Sequence, residues 1–499
     1  VRQLDLVVIV AYLALIAALG ARLAGRQRST TDYFVGGRSL PWWAVCLSIV
    51  ATETTALTVV SVPGVAYTGS FSFAELAVGY LIGRVVVAAV LLPLYVRGDL
   101  VSAYQLLGRR FGPSVQGLAS LTFLVTRLLG EGVRLFASAI PIKLLLGSIG
   151  IPADYFVIIL VLTAVTVGYT YLGGMRAVVW TNVAQVPLYV GGALLSVGIL
   201  LGKVGGHGVA EALHGGKLTV FDLGWNLGHI LTSPYAFLTA ILGGAVFAMA
   251  SHGSDQLVVQ RVLACRSLSD ARKAMVGSGV LVLLQLAVLS MVGVLVWAYH
   301  GGGTVADLGL SSSDQIYPSF ILRDLPAGVS GLLVAGVLAA TMGSLSSALN
   351  TMATSTVVDL LRPRWHRTVD ETWELRAARV LTQVWAAVFV VFASLFSDTT
   401  NQVIVLGLGI TGYTYGALLG SFLLALLVRR ADQADAVIAF LVTVAVLAFV
   451  VLRVRLEVDG NATGLAFPWL APLGAAVTLA VGGLLSRRHP RPRPVVPPA

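Results

Sequence analysis

Runs of about twenty apolar residues alternate with short polar stretches along nearly the whole chain. Thirteen such runs are legible, at about 4–24, 42–67, 73–96, 115–147, 152–172, 177–202, 234–252, 274–299, 327–358, 378–397, 401–428, 435–452 and 467–486. A helix rises 1.5 Å per residue, so most of these runs can cross a hydrocarbon layer roughly 30 Å thick. Within lipid every backbone polar group must be satisfied internally, which favours helices. The alternating segments of a membrane β-barrel are absent. The pattern predicts an all-α, polytopic membrane protein of about 13 transmembrane helices.

Composition agrees with that pattern. Of 499 residues, 57% are hydrophobic and 11% charged, whereas soluble domains carry roughly 25% charged residues. The 54 glycines suit close packing of membrane helices. Cys46 and Cys265 lie far apart and imply no disulfide framework. The first run, Leu4 to Leu23, reads as a span and not as a cleavable signal peptide.

The net charge of +10 is explained by its distribution, without nucleic acid. With the N-terminus outside and the C-terminus cytoplasmic, the inner segments hold 23 of the 33 Lys and Arg residues and the outer segments hold six. This is the bias expected of a multi-pass protein of the cell's inner (plasma) membrane. The segment 487–499 reads as a basic, Pro-rich cytoplasmic tail. The longer outer loops, about 203–233 and 300–326, read as caps and not as separate domains.

Ionisable groups inside spans mark functional sites. Glu53 lies in SIVATETTALTVVSVPG, a threonine-rich span ending in Pro63-Gly64. A helix interrupted at mid-membrane exposes carbonyls and amides to ions and substrate; the bland alternative is a Pro-kinked packing helix. Glu75 and Arg84 share the third span, but nine residues separate them, so Arg84 is expected to find its partner on another helix. Arg127 and Glu131 can pair at i,i+4 on the fourth span, with Arg134 one turn beyond. In the ninth span, hydroxyls recur from Ser344 to Thr356. They suit either a hard monovalent cation or a small-residue packing face.

Several motifs then coincide. YTYLGGMRAVVWTNVAQ (170–185 and adjoining), GSDQLVVQRVLACRSLSDARKA from Gly253, GSLSSALN (343–350) and ITGYTYGALLGSFLLALL (410–427) occur in one order. Together they resemble the sodium:solute symporters, the family of sodium–glucose, proline and sialic-acid cotransporters, over roughly residues 30–430. The resemblance implies a five-plus-five inverted-repeat (leucine-transporter/APC-like) core. One helix (1–30) precedes a core at 31–430, with core helices 1–5 at about 42–202 and 6–10 at about 234–428. Two peripheral helices (431–486) follow. The first and sixth core helices are expected to break near Pro63-Gly64 and Gly243-Gly244.

The resemblance also implies residue roles. A sodium site falls on the carbonyls of Ala51, Thr54 and Ala340 and the side chain of Ser344, with Gly343 where relatives usually offer a serine hydroxyl. A second cation site known in some relatives is vestigial here: Ser346 and Ser347 remain, but Asn182 stands where those relatives have an Asp. Substrate contacts map to Glu53, Thr55, Thr58, Glu75, Arg134, Ser251, His252 and Tyr413. The expected function is sodium-coupled symport of a small polar organic solute (a sugar, carboxylate or amino-acid-like molecule) by alternating access, with one sodium ion per cycle. Na+ is the coupling ion, the bilayer is the setting, and no obligate protein partner is called for. The rival is proton-coupled or uncoupled transport through Glu53. A membrane sensor is disfavoured by the shortness of the segment after Ser486. An enzyme is disfavoured because the chain has no HExxH motif or nucleophile elbow.

Overall fold

The computed structural model describes residues 3–23, 29–148, 150–364, 371–395, 403–458 and 460–489. The end of the proposed tail, 490–499, lies outside the described residues. Each of the thirteen predicted stretches holds helix. The principal helices are α1 (Gln3–Leu23), α2 (Trp42–Glu53), α3 (Ala56–Thr68), α4 (Phe73–Val90), α5 (Pro113–Ser148), α6 (Tyr155–His214), α7 (Gly244–Gly253) and α8 (Gln256–Val262). They continue with α9 (Leu268–Tyr299), α10 (Val329–Ser355), α11 (Glu371–Ala393), α12 (Val403–Leu427), α13 (Gln433–Arg453) and α14 (Leu470–Ser486). A two-stranded hairpin, Leu456–Val458 with Asn461–Thr463, joins α13 to α14.

Among the described residues, eight helical stretches are long and apolar enough to cross a membrane alone, and nine if α2 and α3 count as one bent span. Three shorter apolar helices, Tyr155–Tyr171, Thr239–Gly253 and Thr414–Leu427, add to these. The 36-residue α5 falls outside that set and carries Arg127, Glu131 and Arg134. The long α6 is two predicted spans in one, parted at Gly174, whose φ of 52° favours glycine. The stretch that begins with α10 is 94% buried, far above the 28–61% of the other spans, so it is the central helix. It packs chiefly on α6, and to equal extents on α1 and α5.

The helix break does not fall at Pro63-Gly64. α3 runs through both residues, and the interruption lies at Thr54-Thr55, where α2 and α3 meet at a 65° bend. Both threonines are extended, with ψ of 93° and 171°. Pro63 removes one backbone bond, but tight packing of Gly293 on its carbonyl holds the helix there. Gly243-Gly244 also stays helical, at the join between a wide turn (Thr239–Gly243) and α7. Those glycines serve close approach, to Pro468 and to Leu76 respectively. The chain breaks later, between α7 and α8, at Ser254-Asp255.

Candidate solute and cation site

The bend at Thr54-Thr55 organises the site. The Thr55 N–H turns to the Glu53 carbonyl (3.1 Å), releasing the Ala51 carbonyl from the bond it would accept in a continuous helix. The Thr58 hydroxyl also donates to the Glu53 carbonyl (3.3 Å). The Glu53 side chain therefore leaves the end of α2 and faces a cavity of about 140 Å³.

Thr52, Thr54, Thr55, Thr58, Gln285, Ser251 and His252 give that cavity a polar wall. Phe73, Tyr80, Phe247 and Tyr415 give it an aromatic one, with Tyr80 stacked on Phe247 at 5.8 Å. An apolar body with a polar end fits such a lining.

Two ionic groups flank it. Glu53 pairs with Arg84, which is fully buried on α4 and donates also to the Ser278 hydroxyl (2.9 Å). The other Glu53 oxygen meets Nε2 of His252 at 2.9 Å, while the Ser251 hydroxyl lies 2.8 Å from Nδ1. Opposite, the Glu131 carboxylate takes Arg134 (2.5 Å) and Arg127 (3.3 Å) through one oxygen. Arg127 pairs across helices with Asp255 and donates to the Tyr415 hydroxyl (3.0 Å), which itself donates to Asp255 (2.7 Å). These acids and arginines balance three against three. Arg134 is the least enclosed of the three arginines, and its Nε, like those of Arg84 and Arg127, has no partner among the described residues.

A second constellation lies where α2, α6 and α10 meet. Gly343 leaves a gap: a methyl group there would sit 2.9 Å from Gln185 Oε1, 3.2 Å from Asn182 Oδ1 and 3.6 Å from the Ala51 carbonyl. Both amide oxygens are fully buried and have no hydrogen-bond partner among the described residues. Their orientation follows from their N–H groups. Asn182 donates to Ser48 (3.0 Å) and Ser347 (3.3 Å), and Ser347 spends its own proton on the Gly343 carbonyl (2.6 Å). Gln185 donates to the Tyr12 hydroxyl (3.3 Å). Arg261, fully buried, donates to Ser48 (3.3 Å) from behind. Ser344 and Ser346 are buried on α10 and bond back to Thr341 and Gly343. Ala340 is buried one turn earlier.

Of the residues predicted from sequence, Glu53, Thr54, Thr55, Thr58, Arg134, Ser251 and His252 line the cavity together. Glu75 does not. It is fully buried in the first turn of α4, and its carboxylate accepts the Asp222 N–H (3.0 Å) of the loop that follows α6. The Tyr413 side chain lies outside the described residues; Tyr415, two residues on, lines the cavity. The Thr54 hydroxyl turns to Gln285 (3.0 Å). Gln285, Asp255 and Gln185 escaped the sequence reading. A lone amide in the apolar α9 was a usable signal, whereas Tyr80 and Phe247 gave none.

A model of the "Sodium:solute symporter family" matches residues 33–443. The chain belongs to the sodium:solute symporter family. It is 29% identical over 92% of its length to the human sodium/iodide cotransporter, covering 71% of that protein. It is 27% identical over 96% of its length to the sodium/sialic acid symporter of Aliivibrio fischeri, covering 92% of it. The solved structure of a Na+-coupled sialic acid symporter, substrate-bound and outward-open, superposes with a TM-score of 0.82 at 23% identity, covering 98% of this chain and 99% of that one. The symporter is thus a multi-pass membrane protein with the leucine-transporter-like inverted repeat, coupled to Na+ and not an enzyme. The motif resemblance holds across the core.

Proposed function

We propose that the symporter carries a small organic anion, a carboxylate, together with one sodium ion. The observation that carries this is Arg134, the most open of the cavity's three arginines, whose Glu131 partner is shared with Arg127. A planar guanidinium suits a carboxylate. The aromatic wall suits the apolar body of the solute. The two relatives named above are described as carriers of iodide and of sialic acid, both anions.

Sodium binds between α2 and α10. The carbonyls of Ala51, Thr54 and Ala340 and the Ser344 hydroxyl supply oxygens, and the amide oxygens of Asn182 and Gln185 face the gap left by Gly343. Neutral oxygens and a fixed positive charge behind Ser48, from Arg261, make a second dry cation costly. Sodium stabilises the outward-open bundle that binds solute, and by linkage solute raises sodium affinity by the same factor. The core spans 31–430, with the N-terminus outside and the C-terminus cytoplasmic, consistent with the charge bias.

Uptake of radiolabelled small carboxylates into proteoliposomes tests this. Sodium should stimulate uptake, and a protonophore should leave it unchanged. Uptake that ignores sodium and collapses with the protonophore supports the second reading, proton coupling through the Glu53–His252 contact.

A further inference from the structure

The first helix, α1, lies outside the inverted repeat, yet it reaches the central helix at several levels. Asp5 is fully buried. It accepts the N–H groups of Gly328 (2.7 Å) and Gly331 (2.8 Å) and the Ser330 hydroxyl (2.8 Å), capping α10 from another helix. A methyl group on Gly331 would sit 2.6 Å from the Asp5 Cα, so glycine is what lets α1 come this close. Two turns along the same face, the Tyr12 hydroxyl accepts the Gln185 Nε2–H. Further on, Gly20 packs against Tyr169, whose hydroxyl donates to the Met342 carbonyl beside Gly343 (3.1 Å).

We infer that α1 sets the sodium affinity of this symporter, with Tyr12 as a positioning residue; the inference rests on the sodium reading above. A primary amide can face the gap with its oxygen or with its nitrogen. Oxygen attracts a cation and N–H repels it. The Tyr12 hydroxyl gives the Gln185 nitrogen a partner on the far side, which leaves Oε1 turned toward the Gly343 gap. Removing that hydroxyl takes away the hydrogen bond that holds the amide in this orientation. Asp5 holds α1 in register with α10, so that Tyr12 meets Gln185 at the level of the gap.

Sodium titrations of uptake, and of melting temperature in detergent against a potassium background, test the inference on the full chain. Tyr12→Phe should raise half-saturating sodium about fivefold, the worth of one hydrogen bond, with the solute KM at saturating sodium kept within about twofold. Gln185→Leu should raise half-saturating sodium as well, and the double variant should be no weaker than Gln185→Leu alone. Wild-type sodium dependence in Tyr12→Phe, or additive losses in the double variant, overturns the inference while leaving sodium coupling standing. If Tyr12→Phe folds poorly, Gln185→Leu decides with Tyr12 intact: unchanged half-saturating sodium overturns it. A wild-type protein indifferent to sodium removes the sodium reading and this inference together.

Discussion

At the scale of single residues, the site turns on who neutralises whom. Arg84 is fully buried and has Glu53 as its carboxylate partner. Glu53→Gln keeps the shape but leaves the guanidinium without a counter-charge. Breaking a buried pair from one side is expected to cost about 3 kcal/mol, read as a fall in melting temperature in detergent with or without solute. Arg134 should behave differently, because its side chain is partly open to the cavity. Arg134→Gln should weaken solute binding roughly tenfold or more, as loss of a charge-assisted hydrogen bond does, with little change in sodium half-saturation; competition uptake measures it. The sequence made both residues visible, since charges inside apolar runs are conspicuous. It did not show their partners. The Glu53–Arg84 and Arg127–Asp255 pairs join residues 31 and 128 positions apart, and no local periodicity encodes such distances. Glu75 was conspicuous for the same reason, yet its carboxylate serves the loop that follows α6.

At the scale of the element, apolar runs located the long helices, though not short ones such as α8, and the chemistry of the breaks was misplaced. Proline and glycine are the strongest local punctuation, and Pro63-Gly64 and Gly243-Gly244 carried that signal. Packing overrode it at both places, and the extended residues proved to be Thr54 and Thr55. Threonine hydroxyls offer the backbone local alternatives to helix, a weaker sign than proline but the one that mattered here. Glycine's other use is clear on α4, where Gly79 and Gly83 bring the helix against the carbonyls of Ala240 and Ala245. This is a small-xxx-small face. Gly83→Val should overpack it by about 3 kcal/mol and reduce the yield of monodisperse protein on size exclusion. Gly198→Ala, with nothing within 4 Å of the added methyl group, should stay within about 0.5 kcal/mol of wild type.

At the scale of the whole molecule, the fixed charges around the translocation site dictate how transport answers to voltage. Glu53, Glu131 and Asp255 offset Arg84, Arg127 and Arg134, and Arg261 adds a positive charge behind the cation gap. Among the described residues no surplus carboxylate faces the site to balance a lone sodium ion, so under the proposed function the co-transported anion would supply that balance in the occluded state. One sodium with one monocarboxylate moves no net charge. The potential, worth about 2.3 kcal/mol per charge per 100 mV, then drops out of the driving force. Uptake into proteoliposomes under a fixed sodium gradient should therefore be the same with and without an inside-negative potassium-diffusion potential. Stimulation by that potential would mean that a second sodium ion travels, or that the solute is neutral. Repeating the measurement with Asn182→Asp then separates the two: in a carrier of one sodium and a neutral solute, a carboxylate beside Ser347 should admit a second cation and steepen the stimulation, whereas a carrier already moving two sodium ions should gain nothing from it.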